Sequence, residues 1–220
     1  MTGKIGYTLC LAAFLSVSLA QASTITYELN VDGCSGAGCG NGPFGWVKLD
    51  DTGTPGTVTV TVTLADHEVF AGGGAGDALA FNIKSTASSG LAITPLDTTN
   101  FELGPAPDHT SAFGTFTNSV TCKTCQGGQA GNSAGPLVFT VTSSTPGVSL
   151  TDFVTNNKNY YFSSDIAVLS PTGTRTGVVA TAGPGTTGSV PTVPEPTTIL
   201  LSLGGFGLVG LARARKFLSF

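Results

Sequence analysis

An all-β fold, a single antiparallel β-sandwich of jelly-roll type, is what this sequence predicts, and three observations predict it. The segment Thr57-Val58-Thr59-Val60-Thr61-Val62-Thr63-Leu64 alternates strictly, putting Val58, Val60, Val62 and Leu64 on one face and four threonines on the other. Short runs rich in Val, Thr, Phe and Tyr recur along the chain, each bounded by Gly, Pro, Asn or Asp. Their length and frequent turns favour a sandwich over a barrel, and no internal repeat points to a repeat array. In order, Thr24–Val31 runs into Asp32-Gly33, Phe44–Leu49 follows Gly42-Pro43, and Thr57–Leu64 follows Gly56. Ala78–Ile83 follows Gly76-Asp77, Phe113–Thr121 stops at Cys122, and Leu137–Thr142 follows Gly135-Pro136. Tyr160–Val168 follows Asn159, and Gly177–Ala180 precedes Gly183-Pro184. Ser149–Val154 alone reads as locally helical, with Ser149 as cap and Asp152 three residues on.

Both ends of the chain read as processing segments. Lys4 supplies a positive start, Ile5 to Leu19 an apolar stretch, and Ala20-Gln21-Ala22 the small residues that signal peptidase requires, so residues 1–22 form a signal peptide cleaved before Ser23. A lipoprotein reading of Cys10 fails on the bulky Leu9, and Cys10 leaves with the signal peptide. At the other end, Val193-Pro194-Glu195-Pro196 cannot continue a helix from upstream. An apolar run from Ile199 to Ala212 follows, and then Arg213-Ala214-Arg215-Lys216, a basic cluster that stops at the cytoplasmic face. This order resembles the PEP-CTERM sorting signal of Gram-negative bacteria. The resemblance implies a tail, residues 193–220, that holds the protein in the inner membrane as a short transmembrane helix. An exosortase, a membrane cysteine protease, then removes it and passes the protein to the cell surface or extracellular matrix. A permanent anchor is the alternative, but Thr197–Ala212 is sixteen residues long and interrupted by Gly204, Gly205, Gly207 and Gly210, whereas a spanning helix takes roughly 17 to 25 residues.

Between these ends lie roughly 170 residues, enough for one domain with a sizeable core. The β-sandwich is assigned to residues 23–182, and Gly183–Thr192, rich in Gly, Thr, Ser and Pro, to a flexible linker. Five basic residues face twelve acidic ones in this stretch, leaving a charge of minus seven. That balance argues against nucleic acid or an anionic membrane surface as partner. Charged residues make up only 10% of the chain, so Thr, Ser, Gly and Asn carry the polar surface, as suits an exported protein.

Four cysteines remain after signal removal, Cys34 and Cys39 in one local pair and Cys122 and Cys125 in another. In an exported chain these predict two disulfides that shape Gly-rich turns, the loops being too short for a large entropic effect. A four-cysteine zinc site is the rival, against which stand the wide Cys34–Cys39 spacing and the lack of a nearby histidine. Redox exchange needs a Cys-x-x-Cys opening a helix, whereas Cys122 follows a predicted strand. The cluster Gly72-Gly73-Gly74-Ala75-Gly76-Asp77 lacks the Gly-Lys-Ser/Thr of a phosphate loop and the copies of a calcium nonapeptide. No cofactor is therefore expected; the alternative is a structural calcium taken by Asp77, Asp50 and Asp51.

Nucleophilic catalysis finds little support. His67 and His109 are the only histidines, and there is no Gly-x-Ser-x-Gly elbow. Paired carboxylates for glycoside cleavage are a matter of spatial separation, and none can be named. The threonine row of Thr57–Leu64 suggests an ice-binding array, but one strand is not an array and threonine is an ordinary solvent-facing strand residue. Several stretches of the central domain, among them Gly76-Asp77-Ala78-Leu79-Ala80-Phe81-Asn82, Pro136-Leu137-Val138-Phe139-Thr140-Val141 and Tyr160-Tyr161-Phe162, resemble uncharacterised β-rich PEP-CTERM domain proteins. That resemblance implies no catalytic residue and a general association with exopolysaccharide, biofilm and floc formation. The expectation is a non-enzymatic surface or matrix protein, structural or adhesive in role, whose partners during export are signal peptidase and exosortase. The alternative is a carbohydrate-binding module for exopolysaccharide, with Phe44, Trp46, Tyr160 and Tyr161 as stacking residues whose other reading is core packing; a secreted glycoside hydrolase is the lesser one.

Overall fold

The computed structural model describes residues 23–183 except 37, 52, 73–76, 111, 126–132, 145 and 171–172. Its strands are β1 (Thr24–Glu28), β2 (Val31–Asp32), β3 (Gly45–Asp50), β4 (Thr57–Leu64), β5 (Glu68–Phe70), β6 (Leu79–Ile83), β7 (Ala92–Pro95) and β8 (Phe101–Leu103). They continue as β9 (Asp108–Thr110), β10 (Gly114–Phe116), β11 (Asn118–Cys122), β12 (Leu137–Thr142), β13 (Phe153–Val154), β14 (Phe162–Ser170) and β15 (Gly173–Thr181). Two 3₁₀ turns, Ser85–Ala87 and Leu150–Asp152, are the only helical segments among the described residues. The protein is all-β, and every pairing within its sheets is antiparallel.

Five strands form one sheet in the order β1-β3-β4-β12-β7. A second sheet follows the path β2-β15-β14-β6-β11-β8, with β13 pairing β6 and β5 pairing β14. The alternation of β4 decides which face of the first sheet turns inward: Val58, Val60 and Val62 are fully buried, and the intervening threonines lie outward. Register then carries the same division across neighbours, because Val60 stands opposite Leu49 on β3 and Phe139 on β12.

One apolar cluster takes side chains from both sheets, among them Val47, Val60, Val62 and Phe139 from the first and Leu79, Phe81, Phe162 and Ile166 from the second. The ring of Phe81 stacks on Phe139 at 5.5 Å and reaches Phe153 at 5.7 Å, while Tyr27 meets Phe162 edge-on at 5.0 Å. Such aromatic pairs add about 0.5–1.5 kcal/mol each beyond area burial. The other face of β6 is covered too. Ala80 joins Val178 and Ala180 beneath Phe113 and Phe116, so the two-stranded β9–β10 sheet roofs part of the second sheet. Asn156 pins that roof, its amide donating to the Phe113 carbonyl at 2.7 Å.

Several elements depart from the sequence expectation. Phe113–Thr121 is two strands, split at Thr117, whose backbone N–H donates to the Asn82 side chain at 2.7 Å instead of to a ladder. Tyr160 and Tyr161 precede β14, and β15 extends from Gly173 to Thr181 around the expected Gly177–Ala180. The helical expectation at Ser149–Val154 shrinks to a single turn, Leu150–Asp152, where Ser149 and Asp152 form a capping box before the chain enters β13. β5, β7, β8 and β9 were not expected, being three or four residues long and drawn into strand by pairing. The expected signal peptide, the expected sorting helix and nearly all of the expected linker lie outside the described residues. Among the described residues no helix is long and apolar enough to cross a membrane.

Because Phe81 touches both sheets, Phe81→Ala should cost about 3–5 kcal/mol in denaturant unfolding. Thr59→Val on the outer face should stay within about 0.5 kcal/mol.

Candidate functional site

The outward face of the five-stranded sheet is an extended surface rich in threonine. Register places Thr24, Asp50, Thr59, Thr140 and Thr94 in a row across all five strands. A second row holds Thr26, Lys48, Thr61 and Val138, and a third Glu28, Trp46 and Thr63. Thr57 and Thr142 extend the β4–β12 half with Ala92. Strands lie about 4.7–4.9 Å apart and alternate residues roughly 6.7 Å apart, so the threonines form a two-dimensional lattice of hydroxyl and methyl groups. Charges gather on the β1–β3 side, where Lys48 pairs with Asp50 at 2.9 Å. The sequence showed only the β4 row, since the other threonines join it through pairing between distant segments.

The four aromatic candidates separate. Phe44 is 1% exposed in the core, which leaves no ring face for a sugar and corrects its assignment as a stacking residue. Tyr160 packs edge-on against Phe113 at 4.8 Å, and Tyr161 against Tyr27 at 5.0 Å. Both remain only partly exposed. Trp46 is the one placed on the open face, half-buried between Glu28 and Thr63.

Each cysteine pair lies at disulfide distance, with S–S 1.81 Å for Cys34 and Cys39 and 1.95 Å for Cys122 and Cys125. A glycine seats each loop. A Cβ on Gly177 of β15 would lie 2.7 Å from the Cys34 Cα, and one on Gly72 would lie 3.0 Å from the Cys125 Cβ. Asp32 organises the first loop by accepting the Cys34 N–H at 2.8 Å and the Cys39 N–H at 2.9 Å. Asp32, Cys34 and Cys39 thus gather as three ligand-type residues, but sulfurs tied in a disulfide offer no thiolate to a metal.

Asp50, Asp51 and Asp77 are not brought together as a calcium set. Asp50 pairs with Lys48, whereas Asp77 passes its backbone carbonyl to the Asp165 N–H of β14, in the other sheet. Asp51 accepts the Ser23 N–H at 2.7 Å and the Ser23 hydroxyl at 3.3 Å, and returns its own N–H to the Ser23 carbonyl at 3.2 Å. The residue expected to become the N-terminus is therefore docked beside a carboxylate that suits an ammonium group. Ala20 and Ala22 fall outside the described residues, as do Val193, Pro194, Glu195, Pro196, Arg213, Arg215 and Lys216.

His67 occupies an exposed turn with φ of 69° before β5, and His109 stands opposite Thr115 on β9. Glu68 is the group composition did not flag. Burial lifts its carboxyl to about 7, against a weaker opposing hydrogen bond with the Ala65 backbone, and its Oε2 has no hydrogen-bond partner among the described residues.

Comparison with known families adds one finding, at residues 192–216. The chain carries a PEP-CTERM protein-sorting motif. The motif spans the Pro-Glu-Pro triplet, the apolar run and the basic cluster, and it implies export and surface sorting through an exosortase. No curated protein and no solved structure matches the chain.

A carboxyl whose folded pKa lies above its unfolded value binds its proton more tightly in the folded state, so its contribution is present at low pH and is lost as pH rises between the two values. Stability should accordingly fall between about pH 4.5 and about pH 7 from Glu68. Glu68→Gln should flatten that part of a thermal-melting profile against pH.

Proposed function

We propose that this is an exported surface or matrix protein whose β-sandwich has a structural or adhesive, non-enzymatic role linked to exopolysaccharide. The sorting motif at residues 192–216 carries the reading. The rest of the molecule supports it in physical terms. A sheet face rich in threonine, with its charges gathered on the β1–β3 side, keeps hydrogen-bonding capacity and offers many weak contacts to a hydrated polymer. Signal peptidase acts before Ser23, the inner membrane holds the tail transiently through its apolar run, and exosortase releases the domain from the tail. The intact mass of protein recovered from the host surface or medium tests this directly. The expected mass lacks residues 1–22 and everything beyond about Pro194–Pro196, and it rises on reduction by the hydrogens of two disulfides. A mass that retains the tail through Phe220 would make the protein an anchored periplasmic domain and end the matrix reading.

The second reading, a carbohydrate-binding module, is favoured by one observation: Trp46 lies on the open threonine face instead of in the core. Stacking of a sugar on that indole requires the ring. In a native gel containing host exopolysaccharide, retardation should be reduced by Trp46→Ala and unaffected by Tyr161→Phe. Migration unchanged by the polysaccharide leaves the structural role alone.

A further inference from the structure

The leading end of β1 is held by a single carboxylate. β1 lies at one edge of the five-stranded sheet, where it pairs with β3, Thr24 opposite Asp50, and sends Tyr27 into the core. One step beyond that pair, Asp51 Oδ1 accepts the backbone N–H of Ser23 at 2.7 Å, and both carboxylate oxygens lie 3.3 Å from the Ser23 hydroxyl. The backbone closes the contact from the other side, the Asp51 N–H donating to the Ser23 carbonyl at 3.2 Å. The basic residue of β3, Lys48, is turned to Asp50 at 2.9 Å, and among the described residues neither that ion pair nor Lys84 with Asp152 uses Asp51.

We propose that removal of the signal peptide turns this contact into an ion pair, so that the α-ammonium of Ser23 latches β1 onto β3 in the processed chain alone. The inference rests on the proposed cleavage before Ser23. Water splits the Ala22–Ser23 amide, leaving a carboxylate on Ala22 and on Ser23 an amino group that takes a proton at neutral pH, since an α-amino group titrates at about 7.7–8.0. The nitrogen that donates to Asp51 as an amide then donates as a cation, and its 2.7 Å already suits a charge-assisted N–H···O bond, a kind roughly twice as strong as a neutral one. Two further features tie the contact to this residue and this cut. Serine adds its hydroxyl to the same carboxylate, so backbone and side chain of the first mature residue share one acceptor. A cut one residue later would remove both donors, whereas a cut one residue earlier would keep the amide and carry the charge about 3.8 Å along the chain, away from Asp51. Chain ends are poorly ordered unless tied down. β3 is the one ladder partner of β1 among the described residues, so the latch acts where the strand carrying Tyr27 would otherwise peel away.

The test is a thermal-melting cycle at pH 7 on the exported protein, its first residue established by N-terminal sequencing. The chain starting at Ser23 is compared with a form prepared with Ala22 still in front of it, each with Asp51 and with Asp51→Asn. Retaining Ala22 is expected to lower Tm by roughly 2 °C, the shift that a half-exposed ion pair gives in a domain of this size. Asp51→Asn should lower Tm more in the Ser23 form than in the Ala22 form, because only the first loses a charge pair as well as a hydrogen bond. Where Asp51→Asn does not fold, the two Asp51 forms decide between them. Equal Tm for those two forms, or an equal cost of Asp51→Asn in both, overturns the latch and leaves Asp51 an ordinary acceptor for a backbone N–H. A first residue other than Ser23 overturns the cleavage reading and the latch with it, whereas a Ser23 start without a Tm difference overturns the latch alone.

Discussion

The fold depends on β6 being buried on both faces. Leu79, Phe81 and Ile83 point into the cluster shared with the five-stranded sheet, and Ala80 points into the small cluster under the β9–β10 roof. A strand so placed has to be apolar on one side and small on the other, and Leu-Ala-Phe-Asn-Ile meets both demands. Its ladders follow from that position: β11 and β14 flank it, and β13 pairs with its end at Ile83. Once Phe81 stacks on Phe139, β12 is placed, and β4 and β7 pair with β12 on either side.

What could be read from the chain in advance was whatever one segment states alone. The period of Thr57–Leu64 reveals a strand and its inner face because the pleat alternates within eight consecutive residues. Leu137–Thr142 is legible for the same reason, and the closeness of Cys34 to Cys39 and of Cys122 to Cys125 follows from short spacing. Whatever arises between segments is silent. Ala92–Pro95 carries a proline and becomes a strand only at the sheet edge, where β12 is its one ladder partner among the described residues. The threonine lattice needs the β1, β4, β12 and β7 registers at once, and the sequence states none of them.

The candidate sites divide the same way. The sorting motif is linear chemistry, a triplet, an apolar run and a basic end, and so a family comparison finds it where composition and order had already pointed. Phe44 and Trp46 are two residues apart, and parity suggests a shared face. Instead Phe44 precedes β3, its N–H bonded to the Leu29 carbonyl at 2.8 Å, so it enters the core while Trp46 turns outward. The buried carboxylates are the least legible group, because Asp77, Asp108 and Asp165 come from three separate stretches and become neighbours only in the folded chain.

The two sheets therefore present opposite surfaces for a physical reason. The five-stranded sheet leaves its outer face bare, and a bare face must be polar; threonine meets that need while keeping β propensity and adding no charge. The eight-stranded sheet has part of its outer face roofed, and there alanine, valine and phenylalanine replace threonine. A roof excludes water, and excluding water gives a carboxylate beneath it a strong need for a counter-charge.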